Sequence, residues 1–236
     1  MKPVIVTTSW DDGHVLDMRL AALLKKYGIK GTFYISPQDR EIPAKKRLTD
    51  FQIQELARDF DIGAHTMTHP RLPQVSDAEA EQEISNSRTH LQQVTGQPVA
   101  TFCYPRGEYL PKHVSMVRRA GFSYARTTNR HVFTEQPPLE SATTIHCYDH
   151  WSDALKVAIF ARFNPVTFLR FYRKWDTLAL AMFDRVFAEG GTFHLWGHSW
   201  EIDKNDDWER LERVLRAIAG RSGVQYDSNS DLVPLS

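Results

Sequence analysis

Val4-Ile5-Val6-Thr7-Thr8-Ser9-Trp10-Asp11-Asp12-Gly13 is the stretch on which the reading of this chain turns. Val4 to Ser9 is a continuous apolar and β-branched run, the pattern of a strand buried on both faces in a parallel sheet. Two adjacent carboxylates and a glycine follow at once. Successive strand residues point to opposite faces, so Asp11 and Asp12 reach one site only where the strand ends and the chain bends. Gly13 permits that bend. Charge rarely stays at the end of a buried strand unless something there needs it.

A second stretch gives the first its meaning. In Ile62-Gly63-Ala64-His65-Thr66-Met67-Thr68-His69-Pro70, two histidines four apart again follow a short apolar run and a glycine. They share a face if the chain makes one helical turn after the strand, with Pro70 ending the turn by pushing His69 toward extended backbone. Read alone, Asp11-Asp12 is a solvated turn and His65 with His69 a pair of surface histidines. At two strand ends together they make one metal site. Two imidazoles and one carboxylate leave coordination positions open on Zn²⁺, or on Co²⁺, Ni²⁺ or Mn²⁺, as in a catalytic rather than a structural site.

Composition sets wider bounds. The 236 residues suit one large α/β domain, residues 1–236. Lys+Arg and Asp+Glu are equal at 29, so no global charge favours nucleic acid or an anionic membrane, although local patches remain open. Cys103 and Cys147 are too few for a disulfide framework, and no charged-then-apolar leader precedes the first strand, which reads as cytoplasmic. No apolar run approaches the ~18 residues of a membrane span.

Strands alternate with amphipathic helices along the chain. A helix is expected over Asp17–Lys26 with Asp17 as its cap, a second over 49–59 capped by Thr49 or Asp50, and a long third over 76–94 opened by the Ser76/Glu79 capping-box spacing. A fourth is expected over 112–120. Strands are expected over 31–35, 60–64, 101–104 and 122–127. This order favours a parallel sheet or barrel.

These motifs resemble the polysaccharide deacetylases that share the NodB homology domain, carbohydrate esterase family 4. The family carries T/S-F/W-D-D-G, then H-S/T-x-x-H, then a late histidine after a buried strand. Ser9 to Gly13, His65 to His69, and Phe193-His194-Leu195-Trp196-Gly197-His198-Ser199 stand in those places. The resemblance implies a distorted (β/α) barrel of about seven strands. It implies that Asp12, His65 and His69 hold the metal, that Asp11 is the general base toward the attacking water, and that His198 is the acid toward the leaving nitrogen. His194, on the same strand face as Trp196 and His198, is the competitor for that last role. The family's acetyl-pocket leucine is Trp196 here, with Leu195 beside it.

Phe102-Cys103-Tyr104-Pro105-Arg106-Gly107 resembles the family's F-R-P-P-Y-G. Cys103 replaces the arginine that orients the catalytic aspartate. Tyr104 and Arg106 remain as candidates for the substrate pocket, the Arg106 backbone N–H as an oxyanion donor. Its guanidinium is left between Asp11, an anionic substrate group and plain surface. The family's D-x-x-D-W segment has no counterpart in residues 122–128. The resemblance therefore implies a divergent metal-dependent hydrolase that removes an N-acetyl group from a carbohydrate, with a nucleotide-linked or lipid-linked precursor as the expected substrate if the chain is cytoplasmic. A hydrolase of a non-sugar or cyclic amide, and a sugar-binding protein without turnover, are the alternatives.

Two features lie outside the motifs. Residues 151–187 are crowded with aromatic side chains and broken at Asn164-Pro165, which reads as helices packed on a barrel, or as an aromatic wall or oligomer contact. His146, Asp149, His150 and Asp153 imitate a metal cluster but read better as capping and surface residues.

Overall fold

A computed structural model describes residues 2–134 and 136–233. Along the chain run β1 (Val4–Asp12), α1 (Asp17–Lys26), β2 (Thr32–Ile35), α2 (Asp50–Ala57), β3 (Asp61–Ala64), α3 (Asp77–Thr95), β4 (Thr101–Cys103), α4 (Pro111–Arg119) and β5 (Tyr124–Arg126). The second half adds β6 (Ile145–His146), α5 (Ala154–Phe160), α6 (Pro165–Phe171), α7 (Trp175–Glu189), β7 (Gly191–Gly197), α8 (Ser199–Lys204), α9 (Trp208–Ile218) and β8 (Val224–Tyr226).

All strand pairings are parallel, in the order β5-β4-β3-β2-β1-β7-β6. β1 is the centre. β7 runs beside it from Val4 to Trp10, whereas its other edge is divided: β8 pairs with Val4 to Val6 and β2 with Ser9 to Asp12. The segment after β5 spans the open side. Thr127 N donates to Ser141 O and Ser141 N to Ala125 O, and further on Thr144 N donates to His194 O. The result is the distorted (β/α) barrel the motifs implied, with the short β8 as an addition.

Alternation along β1 and β7 separates an apolar outside from a polar inside. Val6 and Trp10 join the helix-facing core with Leu20 and Leu24, and Phe193 meets Phe183 of α7 edge-on at 5.6 Å. On the inner face, Ser9 lies 2.8 Å from His194 Nε2, and the Asn229 amide donates to Thr7 while accepting from Tyr34. A barrel lined this way pairs Ser9 with His194 and Asn229 with Thr7 and Tyr34, and it delivers Asp11, in phase with Thr7 and Ser9, to the same interior.

Most of the expected elements fall within a residue or two of their places, and Thr49 forms its capping box with Gln52. At the start of α1 the expected cap is not formed. Leu16 occupies the cap position of α1, and the Asp17 carboxyl is buried, accepting from Ser199 Oγ at 2.5 Å. Tertiary contact with the segment after β7 takes Asp17 out of capping.

Candidate active site

The putting together of the ligand set begins with backbone strain. Asp12 has φ 82° and Gly13 φ 76°, so β1 turns at its second carboxylate. The turn is also tight, because a Cβ on Gly13 would stand 2.8 Å from Ile35 Cγ2. Past β3, residues 65–70 form an irregular bend, not the helical turn expected. Thr66 and His69 have φ 65° and 61°, so Pro70 does not hold His69 extended. Glu83 of α3 clamps the bend, accepting from Met67 N, Thr68 N and Thr68 Oγ1 at 2.7–2.8 Å.

This bend aims both imidazoles at Asp12. His65 Nε2 and His69 Nε2 each lie 3.6 Å from Asp12 Oδ1, a buried oxygen with no hydrogen-bond partner among the described residues. Two ligands about 2.1 Å from one ion at a tetrahedral angle stand roughly 3.4 Å apart, so the spacing fits a shared cation. His65 Nδ1 is held by the Cys103 carbonyl at 2.7 Å, which leaves the Nε2 lone pair free. Burial brings the His65 pKa down to about 4, so the ring is neutral, as a ligand must be. The residues fit a divalent metal. Asp12 Oδ2 is fixed from the other side by Trp200 Nε1 at 2.8 Å.

Asp11 is a buried carboxylate whose partner the sequence motifs did not supply. The guanidinium of Arg126, itself fully buried at the end of β5, pairs with Asp11 Oδ1. Burial alone would raise the Asp11 pKa, but the charge of Arg126, with His65 and His198, outweighs it and holds the carboxyl at about 2. Arg126 is sandwiched between rings, 4.6 Å from Trp196 and 5.4 Å from Tyr34. Cys103, which stands in the family's arginine position, lies 3.7 Å from Asp11 Oδ2 through Sγ.

His198 caps the end of β7 and brings Nε2 to 4.0 Å from both Asp11 Oδ2 and Asp12 Oδ2. Its Nδ1 meets Glu201 Oε2 at 3.0 Å. Burial would lower its pKa, yet Asp12, the bond to Glu201 and Asp11 together raise it to about 9, so it stands protonated near neutrality. Glu201 also meets His146 Nε2 at 3.1 Å, and His146 Nδ1 lies 2.7 Å from His150. His146 stacks flat on Trp196 at 3.8 Å. His146, His198 and Glu201, like Asp11, His65 and Cys103, are a further group with donor atoms within 4.8 Å of one another.

The remaining candidate residues divide between the barrel interior, the helix-facing core and the neighbourhood of Glu41. His194 stays inside the barrel against Ser9 with its pKa brought down to about 3 by burial, away from the ligand set. Tyr104 is buried, stacks on Tyr109 at 4.4 Å and donates to the Leu139 carbonyl, and Leu195 belongs to the helix-facing core. Trp196 faces the interior. The Arg106 guanidinium pairs with Glu41, whose other carboxylate oxygen lies 3.4 Å from His69 Nδ1, and its backbone stands at φ 57°. The cluster read as capping and surface divides. His146 is buried and joined to the site through Glu201, whereas Asp149 pairs with Arg210 and Asp153 with Arg130. Sequence reasoning missed Arg126 and Glu201. An arginine inside a short buried strand demands a partner, and a glutamate three residues after a histidine at a helix start shares its face.

A sequence model described as polysaccharide deacetylase matches residues 1–125, more than half of the 236. A Bacillus subtilis (strain 168) protein named "Putative polysaccharide deacetylase YxkH" is 28% identical over 129 residues, 54% of this chain and 45% of that relative. The match thus spans less than half of the relative's length. Among solved structures, the Streptococcus pyogenes deacetylase PplD in complex with acetate superposes with TM-score 0.54 at 24% identity, covering 58% of this chain and 62% of that one. A "putative polysaccharide deacetylase" from Mycobacterium smegmatis gives TM-score 0.68 at 14% identity over 99% of this chain and 90% of its own. At these identities the two structures establish the likeness of fold.

Proposed function

The chain belongs to the polysaccharide deacetylase family, and from that premise we propose that it is a metal-dependent hydrolase removing an N-acetyl group from a carbohydrate. The observation that carries the reading is the pairing of an ionised carboxylate with a protonated imidazole at one end of the barrel: Asp11 beside Arg126, and His198 beside Glu201, 4.0 Å from each other. Near neutrality their surroundings leave Asp11 ionised and His198 protonated, the starting states of a reaction that takes one proton and gives another. The acetate bound to the Streptococcus pyogenes deacetylase of like fold accords with acetyl as the group released.

Asp12, His65 and His69 would hold the ion, with Zn²⁺ first among the candidates for this oxygen and nitrogen donor set. When bound, the ion supplies Lewis acidity, polarising the acetyl carbonyl and easing loss of a proton from water. Asp11 accepts that proton as water oxygen bonds to the carbonyl carbon. His198 gives its proton to the nitrogen as the C–N bond breaks, so that acetate and a free amine leave. Arg126 orients Asp11 and Glu201 orients His198. A sugar-binding protein without turnover needs no such charged base.

The test is acetate release from a panel of N-acetylated sugars by the metal-loaded protein, run beside Asp11→Asn. The variant should keep its metal and lose roughly 10²-fold or more in turnover. Turnover near that of the unsubstituted protein would sink Asp11 as the base. Release from no sugar in the panel would favour the cyclic-amide or binding reading.

A further inference from the structure

The aromatic-rich stretch that the site does not use is, in the fold, a hairpin of α5 and α6 with an unusual surface. Ten large hydrophobic residues are substantially exposed among the described residues, and six of them crowd into it: Trp151, Leu155, Ile159, Phe163, Val166 and Leu169. Their exposure runs from 57% for Ile159 to 76% for Val166. Leu155 and Ile159 lie one helical turn apart, as do Val166 and Leu169, whereas Val157 and Phe171 are buried. Each helix therefore has an inner apolar side packed on the protein and an outer one facing water.

Charge distinguishes this face from a spare piece of core. Residues 154–174 contain Lys156, Arg162, Arg170, Arg173 and Lys174 and no aspartate or glutamate, although the chain as a whole is neutral. All five are exposed, and none forms an ion pair among the described residues. Beside the hairpin, an open groove of about 630 Å³ is lined by Lys156 and Arg162, together with Arg130, paired to Asp153, and Arg185, paired to Glu189. Arg173 also stacks on Trp151 at 3.8 Å, an aromatic ring and a cation side by side at the hairpin's edge.

We propose that the α5–α6 hairpin docks on the surface of a lipid bilayer, its apolar tips entering the acyl boundary and its cations meeting anionic headgroups. Large apolar side chains ringed by unpaired cations are what an interfacial helix presents. Two copies of the chain apposed through this face would bring ten like charges together, which disfavours self-association there. No helix among the described residues is long and apolar enough to cross a membrane, so the contact lies on the bilayer and does not span it. The hairpin grows from the end of β6 that carries His146, and Phe171, Arg173 and Lys174 line one small pocket with His146 and His150. Docking here sets the site beside the interface. The proposal stands independently of the reaction assigned to that site.

The test is cosedimentation of the full chain with phosphatidylglycerol–phosphatidylcholine vesicles and with phosphatidylcholine vesicles alone. Binding is expected to the mixed vesicles and to fall as salt rises. Each cation near an anionic surface contributes roughly fivefold, so Arg170→Gln with Arg173→Gln should weaken partitioning by roughly 30-fold. Phe163→Ser with Val166→Ser should weaken it as well, and both pairs lie on the exposed face, so an unchanged melting temperature certifies the fold. No binding to mixed vesicles, or equal binding to both kinds, overturns the proposal. A dimer seen by light scattering that Phe163→Ser with Val166→Ser abolishes, without vesicle binding, assigns the face to a second copy instead and overturns it too.

Discussion

The pair Asp11 and Arg126 shows how much one residue decides. Its two members come from β1 and β5 and both are buried. Removing one partner of a buried pair strands the other charge, at a cost of about 3–5 kcal/mol, so Arg126→Met should be strongly destabilised. Arg126→Lys keeps a charge but loses the planar guanidinium that meets Asp11 through one nitrogen, donates to the Thr127 carbonyl through another and stacks between two rings. A base must be ionised to accept a proton, and Arg126 helps hold the Asp11 carboxyl at about 2 against burial. With that help weakened, the carboxyl pKa rises and the acid limb of kcat/KM moves to higher pH. A pH–rate profile of Arg126→Lys that overlays the unsubstituted one would mean that Asp11 is not the group being tuned.

At the scale of an element, the bend of residues 65–70 matters more than the two histidines it carries. Its left-handed Thr66 and His69 are costly on their own, and three donations to Glu83 hold them in place. Glu83 sits on α3 and forms no hydrogen bond or ion pair with Asp12, His65 or His69 among the described residues. Its loss should nonetheless let His69 wander, so Glu83→Gln is expected to weaken metal retention by roughly 10-fold, the low end of what supporting groups contribute. Competition against a chelator measures this directly. Undiminished affinity would show that the bend keeps its shape unaided.

For the whole molecule, a polar barrel interior has a consequence for stability. Burial holds His65, His146, His150 and His194 below the ordinary histidine range, at about 4, 3, 4 and 3. Their unfolded counterparts take up protons near pH 6.5, so stability falls as pH drops from there toward 4, by about 1.4 kcal/mol per pH unit for each of the fully buried His65, His146 and His194 and by less for the partly exposed His150. His198 has the opposite sign: raised to about 9, it contributes stability that is complete below about 6.5 and lost as pH rises through 9. The urea midpoint of the metal-free protein should therefore decline from pH 6.5 to 4. His194→Gln, which keeps a hydrogen-bonding group near Ser9, should flatten that decline by one proton's share; an unaltered slope would mean that His194 is charged in the fold.

The strand–carboxylate–glycine stretch, the spacing of His65 and His69 and the alternation of strands with helices were enough to predict a parallel sheet or barrel and to single out Asp11, Asp12, His65 and His69 as a candidate metal set at two strand ends. Both are local properties, carried by hydrophobic runs and by residues a few positions apart. What only the tertiary structure decided is long-range. Arg126 reaches Asp11 across 115 positions, and Ser199 takes Asp17 from its cap across 182. Glu201 is near His198 in sequence, but its role depends on His146 arriving from β6. The identity of a partner for a buried charge is set by which strand lies opposite, and strand order is a property of the closed sheet. The same holds for the hairpin: its apolar residues were legible, but which of them face water follows from how α5 and α6 pack, because hydrophobicity alone does not distinguish a core face from an exposed one.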